Sequence, residues 1–343
     1  MNKMKVVQVG VGNFGGYRRM AMRETGLFEL VAAYDLNKKA LESCQAEDGA
    51  RPVESYEALL ATKDIEAVII STGAKFHAEQ AIQAAERGLH VFIEKPLCST
   101  PEEMRALLAV QKKTGVVFGM GHNDHSHDPV SLTIKAMLAR GDLGTVATFE
   151  KTTAHNGGLH IQPGDWRGDP EKNPGGMLFQ CGVHALHELM FYFGPIAEVA
   201  CMMRSDVHTT QTADVALCQL KFASGLIGTL NAYHVTPYRH TFNILGTKAN
   251  LYRDERYFDE GTQLLIQRTY LNNAKEPREL VAITGKGDSC GNLRSFHQAI
   301  REGGVPYPSL LDGARAVATV FAAEKAAQTG HRVSVVELYP ELA

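Results

Sequence analysis

The sequence lacks the features that mark membrane, secreted and nucleic-acid-binding proteins. None of its apolar runs reaches the roughly 18 residues that a membrane-spanning helix needs, so no such helix is expected. Its six cysteines are far apart and form no Cys-x-x-Cys pair, which predicts reduced thiols in a cytoplasmic protein rather than a disulfide framework. Because 35 basic residues face 38 acidic ones, no net positive charge is available to hold a nucleic acid.

The chain also has no repeat, no low-complexity segment and no linker rich in proline or serine. Its first residues, MNKMKVVQVGVGNFGG, enter a strand-like run at once, which is too short and too rich in glycine for a secretory signal. Hydrophobic residues make up 44% of the 343 residues and charged residues 21%, the composition of a protein that buries an ordinary core. This length is enough for about two domains.

Residues 1–121 alternate short apolar runs with segments of helical length. The runs are Val6–Val9, Leu30–Tyr34, Ala67–Ile70, His90–Ile93 and Val116–Gly119, and the helical segments are Phe14–Glu24, Lys38–Glu47, Lys75–Arg87 and Pro101–Lys113. Each run is rich in Val and Ile and does not alternate in polarity, which is typical of strands buried on both faces of a parallel sheet. This part of the chain is therefore predicted to form a doubly wound α/β domain.

Residues 122–343 show longer, partly alternating strands. The strand candidates are Thr145–Ala154, Ala197–Arg204, Ala213–Phe222, Leu226–His234 and His240–Gly246, and the helix candidates are Val130–Arg140, Gly176–Phe193, Asn292–Arg301 and Leu310–Gln328. Ala223-Ser224-Gly225 lies between two of these strands, as a hairpin turn does. The pattern predicts an α+β domain with a large, mostly antiparallel sheet, whose last helix packs back against the first domain.

A glycine-rich turn follows the first predicted strand. Gly10-Val11-Gly12-Asn13-Phe14-Gly15 has the GxGxxG spacing in which the glycines permit a tight turn, approach of a pyrophosphate, and close packing of helix on strand. Asp35 ends the second predicted strand, where a carboxylate can bind ribose hydroxyls and repels a 2′-phosphate. The pattern predicts NAD in preference to NADP. The alternative is a structural glycine turn beside a surface aspartate.

A second motif, Glu94-Lys95-Pro96, follows the predicted strand His90–Ile93. Ligands of open α/β sheets bind beyond the carboxyl ends of the strands, so Lys95 is a candidate to stabilise negative charge on a reacting oxygen near a nicotinamide. Pro96 restricts the backbone that follows the lysine. The alternative is a solvated lysine that pairs with Glu94 on the surface.

The predicted helix Gly176–Phe193 carries a polar stripe. At 100° per residue, Gln180, His184, His187 and Glu188 fall within an arc of about 100°. His184 is the candidate general base, because the ordinary pKa of histidine lies near neutral pH, and Gln180 and His187 are candidates to bind substrate. The alternative is a core helix whose histidines are satisfied by hydrogen bonds.

The segment 155–174 forms a loop of about 20 residues, and loops of this length in compact domains are commonly functional. Trp166 is a candidate to cover a sugar ring or a cofactor, and Asp165 and Arg167 are candidates to bind hydroxyl or carboxylate groups. Alternatively, Trp166 packs into the core. Cys181, His184 and His187 follow one helix face but match no metal-binding motif, so no functional metal is expected.

Together, the glycine turn, Glu94-Lys95-Pro96 and the glycine-rich helix with His184 resemble the glucose–fructose oxidoreductase, inositol dehydrogenase and MocA family. The resemblance implies a Rossmann domain, residues 1–121, and an α+β domain, residues 122–343, whose open sheet forms a homodimer or homotetramer. It also implies a nicotinamide cofactor, a sugar or polyol substrate, and Lys95 and His184 as the catalytic pair. The residues that it implies for the ribose and nicotinamide end of the cofactor are Thr72, Gly73, His77 and Glu94.

Two positions on the helix depart from the family pattern. Gln180 stands four residues before His184, where these dehydrogenases usually have aspartate, and His187 stands where a second aspartate is common. A glutamine cannot accept a proton, although it can hydrogen-bond a hydroxyl group. His184 must therefore act alone, with Glu188 or with a neighbouring histidine.

The sequence thus predicts an NAD-dependent oxidoreductase that transfers hydride between nicotinamide and a secondary alcohol or ketone of a sugar, polyol or glycoside. In this hypothesis Lys95 stabilises the oxyanion, His184 is the general acid and base, and Gln180 orients a neighbouring hydroxyl. Two alternatives stay open. One is a redox-neutral enzyme that uses tightly bound NAD for transient oxidation before elimination or glycosidic cleavage, and the other is an NAD-binding sensor without catalysis.

Overall fold

The computed structural model describes residues 3–208, 210–255, 262–269 and 277–342. The chain divides into two compact units, and the first consists of Met1–Ser126 and Asp288–Ala314. The second consists of His127–Gly287 and Arg315–Ala343. No helix among the described residues is long and apolar enough to cross a membrane.

The segment Asp288–Ala314 is counted with the first unit, although the sequence analysis placed it in the second domain. The reason is its apolar side chains: Leu293 and Phe296 are buried in one cluster with Met4 and Phe92 of the first unit. The helix that returns to the first unit is therefore the penultimate long helix of the chain, while the last one begins in the first unit and continues in the second.

The first unit contains a parallel sheet. Its strands are β1 (Met4–Val9), β2 (Phe28–Tyr34), β3 (Arg51–Pro52), β4 (Ala67–Ile70), β5 (His90–Ile93) and β6 (Phe118–Met120). They are ordered β3-β2-β1-β4-β5-β6, the order of dinucleotide-binding α/β folds, which confirms the predicted doubly wound domain. Every residue of β4 is buried, because a strand inside such a sheet is covered on both faces.

The second unit contains a mixed sheet. Its strands are β7 (Val146–Ala154), β8 (Ile196–Arg204), β9 (Val215–Phe222), β10 (Ile227–Tyr233), β11 (Arg239–Gly246), β12 (Ala249–Glu255), β13 (Thr262–Arg268), β14 (Glu279–Leu280) and β15 (Val333–Ser334). The order is β14-β13-β12-β11-β7-β10-β9-β8-β15, and of the described pairs only β7 with β10 is parallel. The predicted mostly antiparallel sheet is confirmed, although the sequence analysis did not identify β12 to β15.

The long helices agree closely with the sequence pattern except at Gly176–Phe193, and the short helices Tyr56–Leu60 and Val335–Leu338 were not predicted. They are α1 (Phe14–Thr25), α2 (Lys38–Asp48), α3 (Tyr56–Leu60), α4 (Ala74–Glu86), α5 (Pro101–Thr114), α6 (Pro129–Arg140), α7 (Val183–Phe193), α8 (Gly291–Glu302), α9 (Leu310–Thr329) and α10 (Val335–Leu338). The predicted helix Gly176–Phe193 is instead a π-helical turn, Leu178–Gly182, followed by α7. Gly175 and Gly176 have φ angles of 68° and 56°, which a right-handed helix cannot contain.

Candidate functional site

The glycine turn joins β1 to α1 with no space for larger side chains. A Cβ atom on Gly10 would lie 2.6 Å from the carbonyl oxygen of Ser71, and one on Gly15 would lie 2.1 Å from that of Gly10. The Gln8 side chain fixes the turn from below, since its Nε2 donates to the carbonyl oxygens of Gly10 and Gly15 at 2.9 and 3.0 Å. The turn is therefore packed tightly against its own backbone and that of Ser71, so that only glycine fits at positions 10 and 15.

Asp35 follows β2 and is bound to the same turn. Its Oδ2 accepts hydrogen bonds from the backbone N–H groups of Val11 and Gly12, at 2.8 and 3.3 Å. Its Oδ1 accepts one from the N–H of Asn37 at 2.8 Å. The carboxylate thus supports the turn and presents a negative charge beside it.

The residues around this turn fit a dinucleotide. Asn13 and Phe14 are exposed, and the Asn13 side chain makes no capping hydrogen bond to α1, so the first turn of that helix stays open to a phosphate. Asn13 also has a φ of 45°, a left-handed conformation that is uncommon outside glycine and is concentrated at functional sites. The turn at Gly10 and Gly12 would hold the pyrophosphate, with Gly15 packed beneath it and Asp35 at the ribose.

The turn after β4 carries Thr72 and Gly73. Thr72 is half-buried, and its hydroxyl donates to Gln80 Oε1 at 2.7 Å. Gly73 is exposed at the start of α4. His77 lies behind this turn and is only 1% exposed, with both ring nitrogens against backbone carbonyls. Burial lowers the pKa of His77, an effect that the neighbouring carbonyl groups oppose. The expectation that His77 lines the cofactor is therefore corrected, because its ring is enclosed.

Lys95 lies just beyond β5 and is half-buried, between two fully buried neighbours. The preceding residue, Glu94, forms a buried ion pair with Arg18 of α1, and its Oε1 lies 2.6 Å from Arg18 Nε. Arg18 also donates to Asn292 Oδ1 at 3.2 Å and stacks over Phe92. The Glu94 carboxylate is therefore buried and paired with Arg18 rather than exposed on the surface.

The π-helical turn Leu178–Gly182 and the first residues of α7 carry three partly exposed polar side chains. Gln180, Cys181 and His184 are half-buried, whereas their chain neighbours Phe179, Gly182, Val183 and Ala185 are buried. The Sγ of Cys181 lies 3.4 Å from Nε2 of His155, at the end of β7. π-helical turns within α-helices occur frequently at functional sites, because they change which side chains share a face.

The other two members of the predicted polar stripe point into the protein. His187 is 2% exposed, so it is not available to a substrate as the sequence analysis proposed, and Glu188, the suggested partner of His184, is 5% exposed. Glu188 forms ion pairs with Lys151 and Arg253. Burial by itself would lower the pKa of Arg253, but the nearby negative charges, that of Glu188 first among them, together outweigh this effect and raise it. Only part of the predicted stripe is accessible, because six of the eleven residues of α7 are buried, His187 and Glu188 among them.

The loop with Trp166 is held at both ends. The Oδ1 of Asp165 accepts a hydrogen bond from the N–H of Arg167 at 3.0 Å, and the Arg167 guanidinium stacks over the Trp166 ring at 4.5 Å. The Arg167 carbonyl oxygen accepts hydrogen bonds from Asn173 and Thr212. Trp166 is half-buried and Arg167 is exposed, so both keep a surface toward solvent.

A buried aspartate–histidine pair below this loop was missed by the sequence analysis. Asp214 Oδ1 lies 3.3 Å from His234 Nε2, and Asp214 Oδ2 accepts from the backbone N–H groups of Val207 and His208. Burial lowers the pKa of His234, and Asp214 opposes this. The signal was absent because the two residues stand 20 positions apart, Asp214 just before β9 and His234 just after β10. Among the described residues, no group of three His, Cys, Asp or Glu side chains is placed to hold a metal ion.

Comparison with known proteins gives independent evidence on the family of this chain. Residues 4–122 match the family described as "Oxidoreductase family, NAD-binding Rossmann fold", and residues 131–252 match the "GFO/IDH/MocA C-terminal domain". The 1,5-anhydro-D-fructose reductase of Ensifer adhaerens is 28% identical over 92% of this chain and 93% of its own length. The 2,7-anhydro-N-acetylneuraminate hydratase of Mediterraneibacter gnavus is 31% identical over 58% of this chain and 52% of its own length.

A crystal structure of a proposed NADPH-dependent oxidoreductase from Desulfitobacterium hafniense has a TM-score of 0.91 to this chain at 27% identity. The match covers 98% of this chain and 99% of that one. The likeness therefore extends over both units, each taken by itself.

Proposed function

The chain belongs to the Gfo/Idh/MocA family of NAD(P)-binding oxidoreductases, and on that premise we propose that it is an NAD-dependent dehydrogenase of a sugar, polyol or glycoside. In this proposal hydride is exchanged with a secondary alcohol or ketone of the substrate. The observation that supports it most is the placement of Gly10, Asp35, Thr72 and Lys95. Each follows the carboxyl end of a neighbouring strand of one parallel sheet, the edge at which α/β folds bind dinucleotides and place reacting groups.

His184, Lys95 and Gln180 have different roles in the proposed reaction. When bound, the nicotinamide ring supplies the acceptor or donor of hydride. His184 accepts the proton of the substrate hydroxyl during oxidation and returns it during reduction. The Lys95 ammonium stabilises the negative charge that develops on the same oxygen, and Gln180 hydrogen-bonds a neighbouring hydroxyl. Asp165, Trp166 and Arg167 are proposed to contact the sugar ring.

NAD is proposed as the preferred cofactor over NADP. The Asp35 carboxylate accepts three backbone hydrogen bonds, which hold it beside the glycine turn. A fixed negative charge there repels the 2′-phosphate of NADP. The structural neighbour described as NADPH-dependent makes a direct comparison of the two cofactors necessary.

The test is a panel of sugars, inositols and anhydrosugars, 1,5-anhydro-D-fructose included, assayed with each cofactor by absorbance at 340 nm. We expect turnover with NAD(H), reduced about 10²–10³-fold by Lys95→Ala and about 10²–10⁴-fold by His184→Ala. The exposed Lys113 and His331 give the matched controls Lys113→Ala and His331→Ala, which should retain activity. Turnover that survives both site variants would overturn the assigned roles.

A redox-neutral reaction is the second candidate, and one position favours it. Gln180 stands where the family usually carries a carboxylate, and one relative is named a hydratase. Such an enzyme would keep NAD bound through purification and convert substrate without accumulating NADH. Chromatographic loss of substrate at constant absorbance at 340 nm would replace the dehydrogenase proposal with this one, whereas cofactor binding without substrate loss would indicate a sensor.

A homodimer or homotetramer through the sheet of the second unit is also proposed. Met202 and Leu217 are paired on β8 and β9 and are 77% and 45% exposed, and Ile227 on β10 is 58% exposed on the same face. An exposed apolar surface on a sheet favours association. Light scattering after size exclusion should give a multiple of 37.5 kDa, and Leu217→Glu should reduce it.

A further inference from the structure

His77 connects two turns that carry residues of the proposed site. Its Nδ1 lies 2.8 Å from the carbonyl oxygen of Pro96, in the turn after β5. Its Nε2 lies 2.9 Å from the carbonyl oxygen of Thr72, in the turn after β4. A neutral ring donates to one carbonyl while its other nitrogen contacts the second, and an imidazolium ring donates to both.

The Pro96 contact bears directly on Lys95, which is the preceding residue. On the other side of Lys95, the N–H of Glu94 donates to the carbonyl oxygen of Ile70 at 2.9 Å, and the Glu94 carboxylate is bound to Arg18. Lys95 therefore lies between two anchored residues. Of these two anchors, the one at Pro96 is supplied by His77.

We propose that His77 is a positioning residue that holds Lys95 in its catalytic orientation by fixing the Pro96 carbonyl against the Thr72 turn. The inference rests on the proposed function, in which Lys95 stabilises charge on the reacting oxygen. His77 itself touches neither cofactor nor substrate, since its side chain is buried. The planar ring places one nitrogen against each of the two carbonyl oxygens, 2.8 and 2.9 Å away, whereas glutamine carries both N–H donors on one nitrogen and so cannot span the two turns in the same way.

The first experiment measures the turn itself. Hydrogen–deuterium exchange of the holoprotein, followed by mass spectrometry, is compared between wild type, His77→Gln and Tyr56→Phe. The Tyr56 hydroxyl donates to the Gln80 carbonyl oxygen at 2.6 Å, so Tyr56→Phe removes a hydrogen bond to the same helix α4 without touching either turn. We expect faster exchange of the amides of residues 94–98 in His77→Gln alone. Unchanged exchange there, or an equal change in Tyr56→Phe, would overturn the proposal.

The second experiment asks whether His77 acts through Lys95. With the most active panel compound, His77→Gln should lower kcat about 10- to 100-fold, because small displacements of a catalytic group have effects of this size. The KM values and the NADH dissociation constant should change by less than about threefold, since the binding groups are intact. In the Lys95→Ala background, His77→Gln should have almost no further effect.

The outcomes distinguish the proposed positioning role of His77 from the proposed catalytic role of Lys95. Suppose that Lys95→Ala lowers kcat and that His77→Gln lowers it by the same further factor in the double variant. The proposed role of His77 is then wrong, and that of Lys95 stands. If Lys95→Ala leaves kcat unchanged, the proposed role of Lys95 fails and the inference fails with it. If His77→Gln does not fold, His77→Asn takes its place. Failure of both to fold would overturn the proposal, because the histidine would then serve the fold rather than the lysine.

Discussion

Lys151 Nζ lies 2.6 Å from Glu188 Oε2, and the two side chains are almost completely removed from solvent. Arg253 binds the second carboxylate oxygen of Glu188. The carboxylate on α7 therefore pairs with two positively charged side chains of the sheet, Lys151 and Arg253. Glu188 stands four residues after His184. The ion pairs therefore fix the helix that carries the proposed general base.

Replacing Glu188 by glutamine should destabilise the protein strongly. Two buried cations would lose their shared counter-charge, and breaking a buried pair in this way costs about 3–5 kcal/mol of unfolding free energy. Urea denaturation monitored by circular dichroism measures the effect. The control is Glu198→Gln, whose partner Lys221 is partly exposed, and it should cost less than about 1 kcal/mol. Equal losses in the two variants would contradict this account.

Gly15→Ala should disrupt the glycine turn. The new Cβ would lie 2.1 Å from the Gly10 carbonyl oxygen, so the backbone must move, at about 1–3 kcal/mol for overpacking. NADH binding, followed by fluorescence titration, should weaken at least about tenfold. Gly16→Ala is the matched control, because its Cβ would meet only ordinary contacts at 3.7 and 3.9 Å. Normal NADH affinity in Gly15→Ala would show that the turn does not hold the cofactor.

Asp35→Asn should change the cofactor preference. The variant keeps the shape of the side chain and removes the charge, so NADH affinity should fall roughly 10-fold while NADPH affinity rises. Titration of both cofactors gives the ratio directly. Glu42→Gln removes an exposed charge nearby on α2 and should leave that ratio unchanged. A ratio that is the same in Asp35→Asn and wild type would refute the role of this carboxylate.

Stability should decline as the pH falls below the ordinary histidine value of about 6.5. Burial lowers the pKa of His77, His90, His234 and His297, so the unfolded state binds more protons in this range than the folded state. The stability that these neutral histidines contribute is fully present above pH 6.5. It is lost as the pH falls toward their lowered pKa values in the folded state. Glu324 opposes the trend, because burial raises its pKa. Denaturation midpoints from pH 8 to pH 5 measure the balance.

His234→Asn provides the control for this pH dependence. The variant removes one of the four titrating groups, so its stability should fall less steeply with acid than that of the wild type. Its stability at pH 8 should also be lower, since Asp214 loses its buried partner. A profile parallel to that of the wild type would exclude His234 as a contributor.

The amino-acid sequence by itself determined the local elements and the first part of the site. Val/Ile-rich runs gave β4 and β5 with their observed ends, and the spacing of Gly10, Gly12 and Gly15 gave the turn that opens α1. These features depend on neighbours within a few residues, such as strand burial, turn conformation and helix capping. The position of Lys95 after β5 followed from the same local pattern.

The tertiary structure alone decided which polar groups lose contact with water. His77, His184 and His187 were all candidate site residues, yet packing buries His77 and His187 and leaves His184 half-exposed. Glu94 meets Arg18, 76 residues away, and Glu188 meets Arg253, 65 residues away. Desolvation and pairing of this kind depend on residues that are distant along the chain, and helical periodicity does not carry that information.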